Sequence, residues 1–103
     1  MAFHRVASVN DLEDGEMIQV VVGETEMLLA RIGEEYFAIN DECTHFHTML
    51  HDGILHTDTY EVECPLHESM FDLRTGEPTG PPAEEPEPVH EVQVEGTDIF
   101  IAL

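Results

Sequence analysis

Both cysteines of this chain open a short box that closes on a histidine. The boxes are Cys43-Thr44-His45 and Cys64-Pro65-Leu66-His67, with 18 residues between His45 and Cys64. Each offers one soft thiolate and one imidazole from a tight turn. Two such turns facing each other would present two sulfur and two nitrogen donors, a set that suits zinc or an iron–sulfur cluster. Seven histidines in 103 residues make one Cys-x-His by chance unremarkable. A histidine two or three positions after both cysteines is much harder to obtain by accident. The pair could also form one disulfide, but in a reducing cytoplasm a metal role is the better reading.

The donor set narrows the choice of metal. Ordinary [2Fe–2S] ferredoxins use four cysteines, which this chain does not have, whereas a Rieske centre places two Cys on one iron and two His on the other. One of each from each box is what the sequence offers. Mononuclear zinc, another metal and a free-thiol pair stay open at this point. A [2Fe–2S] core carries two positive charges when oxidised, so two thiolates and two neutral imidazoles bring the site to zero. Adding an electron to a neutral site is easier than adding one to the dianion that four thiolates would make, and the potential is correspondingly higher.

What must position the boxes reads as short strands and turns. Phe3–Ala7, Met17–Val22, Met27–Ile32, Tyr36–Ile39, His90–Glu95 and Ile99–Ala102 are apolar, β-branched or alternating. They are separated by turn signals at Gly23-Glu24-Thr25, Gly33-Glu34-Glu35 and Gly96-Thr97. Ser8 or Asn10 can cap a single helical turn reaching Leu12. No window supports a long amphipathic helix, so an antiparallel β-sandwich or barrel is expected. Alternation weakens between about 40 and 76, where His, Cys, Gly and Asp gather, and this stretch is expected to be a loop-rich, cluster-binding subdomain on the β scaffold. Residues from about 77 to 88 hold five of the six prolines and read as a stiff extended connector. A chain of 103 residues is expected to be one domain.

Charge excludes several partners. Against 23 acidic residues stand three arginines and no lysine, a formal net charge of −20. Phosphate backbones need Lys and Arg, so nucleic acid is not a partner, and anionic membrane surfaces are disfavoured. A basic protein met by electrostatic steering fits; the bland alternative is acidity that serves only solubility. No targeting segment and no run approaching a membrane span is visible, so a cytoplasmic location is expected.

The chain resembles the small Rieske-type [2Fe–2S] ferredoxins of bacterial aromatic-ring-hydroxylating dioxygenase systems. The two boxes match that family's Cys-x-His and Cys-x-x-His motifs. Leu50, Asp52-Gly53 and Leu55 resemble its Leu-x-Asp-Gly-x-Leu segment, and Phe71-Asp72 and Arg74-Thr75-Gly76 resemble the stretch after the second box. The resemblance implies an all-β, Rieske-like antiparallel fold with a cluster-binding subdomain near one end. It implies one [2Fe–2S] cluster, with Cys43 and Cys64 on the inner iron and His45 and His67 on the outer iron, their ring edges near solvent. High-potential relatives carry a Ser two residues after the second His ligand and a Tyr four after it. Here Ser69 matches the first position but Phe71 stands in place of the Tyr, and no spare cysteine pair exists; these two departures point to the lower-potential group, with Ser69 the exception. Ser69 is expected to reach a cluster sulfur, while Met49, Leu50, Pro65 and Leu66 shield the site from water. His47, His51 and His56 read as polar loop residues, and His4 and His90 as strand residues.

Nothing else suggests catalysis: there is no phosphate loop, nucleotide fingerprint or convincing nucleophile–base pair. A terminal oxygenase would need a mononuclear iron site in a much larger domain, for which the chain reads as too short. The expectation is a monomeric one-electron shuttle and not an enzyme. It would take electrons from a flavin-containing, NAD(P)H-dependent reductase and deliver them to the Rieske terminal oxygenase of an aromatic-ring dioxygenase, with Glu42 and Glu68 near the docking face. Alternatives are a ferredoxin of a multicomponent monooxygenase, an accessory subunit of a nitrite-reductase-like enzyme and, from another class, a zinc-stabilised interaction module.

Overall fold

A computed structural model describes residues 2–44, 48–66, 68–81 and 83–103. Among them the chain is built from short antiparallel strands in three sheets. β1 (Phe3–Ser8), β10 (Val92–Glu95) and β11 (Asp98–Ala102) form the first, in the order β1-β11-β10. β2 (Met17–Val22), β3 (Thr25–Ile32), β4 (Glu35–Asn40) and β9 (Val89–His90) form the second, in that order. β5 (Ile54–His56), β6 (Glu61–Glu63), β7 (Met70–Asp72) and β8 (Pro78–Gly80) form the third. Val9–Asp11 and Leu50–Asp52 are single 3-10 turns. The all-β, antiparallel architecture expected from the alternation is what the chain adopts.

The second sheet is the middle layer, and its central strand shows why. Successive side chains of a strand point to opposite faces. Leu28, Ala30 and Ile32 of β3 enter one core, together with Ile39, Leu50, Val62, Phe71 and Leu73. Met27 and Leu29 enter the other, with Val20, Val22, Ile99 and Ile101. A strand buried on both faces reads as a continuous apolar run, as Met27-Leu28-Leu29-Ala30 does in the sequence. The first core joins the middle sheet to the third, and it contains both cysteines.

Three hairpins turn on two residues each. Val22 pairs with Thr25, Ile32 with Glu35 and Glu95 with Asp98, leaving Gly23-Glu24, Gly33-Glu34 and Gly96-Thr97 as the loops. Ser8 caps the first 3-10 turn, its hydroxyl accepting from the Asn10 N–H at 3.2 Å, while Asp11 accepts the Ser8 N–H at 2.8 Å.

Two stretches are more ordered than their composition suggests. Residues 40–76, expected to be loop-rich, hold three strands of the third sheet. Residues 77–88, expected to be an extended connector, include β8, which joins that sheet at its edge. Pro78 opens β8, a place in a sheet where a missing N–H is tolerated. The expected strand from His90 to Glu95 is two strands, β9 and β10, which lie in different sheets. Among the described residues no helix is long and apolar enough to cross a membrane.

Candidate metal centre

Cys43 follows β4 and Cys64 follows β6, so each lies just beyond the end of a strand. The two loops close in the same way. The Cys43 N–H donates to the Thr48 carbonyl at 2.9 Å, and the Cys64 N–H to the Ser69 carbonyl at 2.7 Å. In both, the cysteine amide reaches five residues ahead and draws the loop into a tight ring. Glu68 takes a left-handed backbone, φ +58°, to complete the second.

Both thiols are free and buried. They lie in the apolar core with Leu50, Val62 and Phe71, at 3% and 1% exposure. Burial pushes the Cys64 thiol up to about 11; the Leu66 N–H pulls it back, and the neighbouring Cys43 and the Glu87 carboxyl push it higher. The cysteines therefore sit within interaction range of each other without a disulfide, in surroundings that disfavour the Cys64 thiolate. A cation reverses that balance, because a coordinating thiol gives up its proton outright. The sulfur half of the donor set thus fits a thiolate-bound metal group. His45 and His67, the expected nitrogen half, lie outside the described residues, as does His47. Among the described residues no group of three or more His, Cys, Asp or Glu is arranged to hold a metal ion.

The surroundings of the loops divide into apolar cover and hydrogen-bonded supports. Leu50 and Phe71 are fully buried in the core that holds the cysteines. Pro65 and Leu66 are exposed at the tip of the second loop, Leu66 by 43%. Ser69 is fully buried, and its hydroxyl oxygen accepts the Ala83 N–H at 3.2 Å. With the oxygen so engaged, its proton is available for donation.

The proline-rich stretch braces both loops. Ala83 holds Ser69 of the second. Thr44 of the first donates its hydroxyl to the Glu85 carbonyl at 2.8 Å. The Asn40 N–H donates to the Pro88 carbonyl at 3.1 Å, and the Glu87 N–H to the Gly76 carbonyl at 2.8 Å. Glu87 is 3% exposed, and its Oε2 has no hydrogen-bond partner among the described residues. Burial drives its carboxyl up to about 8; the Thr44 amide opposes the shift, and Glu42 and Asp41 add to it. The sequence concealed this residue, since one acid in an acid-rich, proline-rich stretch reads as solvated surface.

Three other histidines, His51, His56 and His90, are engaged structurally. His51 Nδ1 faces the Asp41 carboxylate at 2.5 Å, and His56 Nε2 lies 2.8 Å from Glu63 across β5 and β6. His90 Nε2 meets Asn40 Oδ1 at 2.7 Å, and burial lowers its pKa.

Residues 2–101 match the Rieske [2Fe–2S] domain. The chain belongs to the Rieske [2Fe–2S] family. It is 40% identical over 95 residues to the 3-phenylpropionate/cinnamic acid dioxygenase ferredoxin subunit of Escherichia coli (strain K12), covering 92% of this chain and 88% of that one. The ferredoxin of carbazole 1,9a-dioxygenase from Nocardioides aromaticivorans IC177 superposes with a TM-score of 0.95 at 36% identity, over 99% of this chain and 98% of that one. A chain from a complex of reduced oxygenase and oxidized ferredoxin in carbazole 1,9a-dioxygenase superposes with a TM-score of 0.89 at 32% identity, over 96% of this chain and 100% of that one. Membership in the Rieske family implies one [2Fe–2S] cluster as the resident group.

Proposed function

We propose that this chain carries single electrons to the Rieske terminal oxygenase of an aromatic-ring dioxygenase, on a cluster held by Cys43, His45, Cys64 and His67. The observation that carries the reading is the extent of the match. Proteins named as dioxygenase ferredoxins align with this chain over nearly their whole length and nearly all of its own. One neighbour comes from a complex of an oxygenase with its ferredoxin. The electron donor is a flavin-containing, NAD(P)H-dependent reductase, and the carrier works as a cytoplasmic monomer.

When bound, the cluster takes up and releases one electron. The chain's own residues do the rest. Cys43 and Cys64 supply thiolates from the apolar core, where low dielectric strengthens each charge interaction. Leu50 and Phe71 keep water from that side. Ser69, its oxygen engaged by the Ala83 N–H, would have its hydroxyl proton to donate to a bound cluster and so ease reduction, while the lack of a phenol at Phe71 would keep the potential in the lower group. Pro65 and Leu66 give the outer end a small apolar tip, with exposed Glu42 and Glu68 nearby. That pattern suits a partner with an apolar centre and a basic rim.

Purified aerobically, the protein is expected to be red-brown and to give a Rieske EPR signal on reduction. Mixed with a Rieske oxygenase of this class, the reduced form is expected to bleach the oxygenase cluster in stopped-flow. A colourless protein holding one zinc ion would overturn the carrier reading in favour of a zinc-stabilised interaction module.

A further inference from the structure

Asp41 stands two residues before Cys43 and is fully buried. Every polar group it has is engaged. Its N–H donates to the Glu26 carbonyl of β3 at 3.0 Å, and its carbonyl accepts the Leu50 N–H at 2.6 Å. Its carboxylate accepts the His51 N–H at 2.8 Å, faces the His51 ring, and accepts Gln19 Nε2 at 2.9 Å. The first ligand loop leaves the scaffold at Asp41 and returns at Leu50 and His51, with Glu42 and Met49 bridged between them. One carboxylate therefore ties both ends of the loop to each other and to the middle sheet.

Gln19 is the part of this arrangement that comes from outside the loop. On β2, Val20 and Val22 face the core shared with the first sheet, while Met17 packs against the core that contains the cysteines. Period-two alternation puts Gln19 on the same face as Met17, toward the ligand loop. Its single amide nitrogen reaches Asp41 at 2.9 Å, Glu26 Oε2 at 3.3 Å and Met49 Sδ at 3.6 Å. A neutral amide can donate to two carboxylates at once without adding a charge of its own. A fully buried carboxylate stripped of a donor keeps its desolvation cost, and the neck of the loop is where that cost would be relieved by movement.

We propose that Gln19 is a positioning residue for the cluster: through Asp41 it fixes the neck of the first ligand loop and so the placement of Cys43. The proposal rests on Cys43 being a cluster ligand. Gln19→Leu keeps the volume and removes both donors. Gln19→Glu replaces the donor with a third carboxylate between Asp41 and Glu26. Gln19→Lys restores donors to both acids. Val21→Thr, two residues along the same strand at a 57% exposed site, is the control.

The readouts are the EPR g-values of the reduced protein and the rate of cluster loss to an iron chelator. Gln19→Leu is expected to shift the g-values and to lose the cluster about tenfold faster, as fits one lost hydrogen bond to a buried charge. Gln19→Glu should be worse, Gln19→Lys should recover both readouts, and Val21→Thr should match the parent. Parent-like g-values and loss rate in Gln19→Leu overturn the proposal, as does an equal effect from Val21→Thr or a Lys variant no better than Leu. If Gln19→Leu fails to fold, the Lys variant against the Glu variant decides by the same criteria. A parent protein with no Rieske signal would instead defeat the ligand assignment on which the proposal rests.

Discussion

Single residues around the cysteines show where charge and hydrogen bonding are placed. Ser69 is enclosed and its oxygen is taken by Ala83, so removing the hydroxyl takes away both a donor and an acceptor. Ser69→Ala is expected to lower the midpoint potential and to cost about 1 kcal/mol of stability. Protein-film voltammetry checks the first effect, and an unchanged potential would defeat the idea that the hydroxyl reaches a cluster sulfur. Glu87 gives a prediction with a definite sign. In the unfolded chain it titrates near the ordinary glutamate value of about 4.3, while in the fold it holds its proton up to about 8. Between those limits the native state binds more protons than the unfolded one, so stability falls as pH rises and levels off above the upper value. Glu87→Gln removes this source of pH dependence. Urea denaturation of the cluster-loaded protein should show a flatter profile from pH 5 to 8 in the variant, with a difference of up to a few kcal/mol at the upper end. Parallel profiles would show that Glu87 titrates normally.

Elements differ in how openly the sequence announces them. The hairpins were legible because each has a glycine in a two-residue turn between alternating runs. Met27–Ile32 was legible as a strand, while its burial on both faces came only with the fold. The strands of the third sheet were not legible: at three residues each, they are too short to display a period, and β8 is hidden by its proline. Both Cys/His boxes were visible from residue type and spacing alone. Their matched closure onto Thr48 and Ser69 was not, nor was the support from Gln19, which lies 24 positions before Cys43 and depends on strand pairing to come near. Gly76 tests how firmly the proline-rich stretch is seated. It has φ +76°, and a Cβ there would lie 2.0 Å from the Glu87 carbonyl oxygen and 2.9 Å from Val89 Cγ2. Gly33, at φ +63°, has nothing within 4 Å of the same position. Gly33→Ala is therefore expected to cost only the backbone strain, about 1 kcal/mol. Gly76→Ala should cost several kcal/mol more, because backbone cannot yield as a flexible side chain does. Comparing the two melting temperatures checks this, and equal losses would mean the stretch is loosely held.

At the scale of the whole molecule the arginines decide the electrostatics. Arg5 pairs with Asp98 at 3.0 Å. Arg74 pairs with Asp72 at 3.2 Å and lies over the Tyr60 ring. Arg31 donates to the Leu12 and Gly33 carbonyls and lies over Tyr36. All three cations are thus occupied within the fold, and a partner meets a field set by the 23 acids. Electron transfer to the oxygenase should slow as salt rises through the range where the screening length falls from about 30 to 10 Å. A flat dependence would remove charge from the docking account. The same occupied arginines have an opposite effect on the carrier itself. Crowded carboxylates that find so few counter-charges push the folded chain apart, and salt relieves that strain. Added electrolyte therefore firms the protein while loosening its encounter with the oxygenase. Turnover of the assembled system should pass through a maximum in ionic strength, with fraying limiting it on the dilute side and failed encounters on the concentrated side.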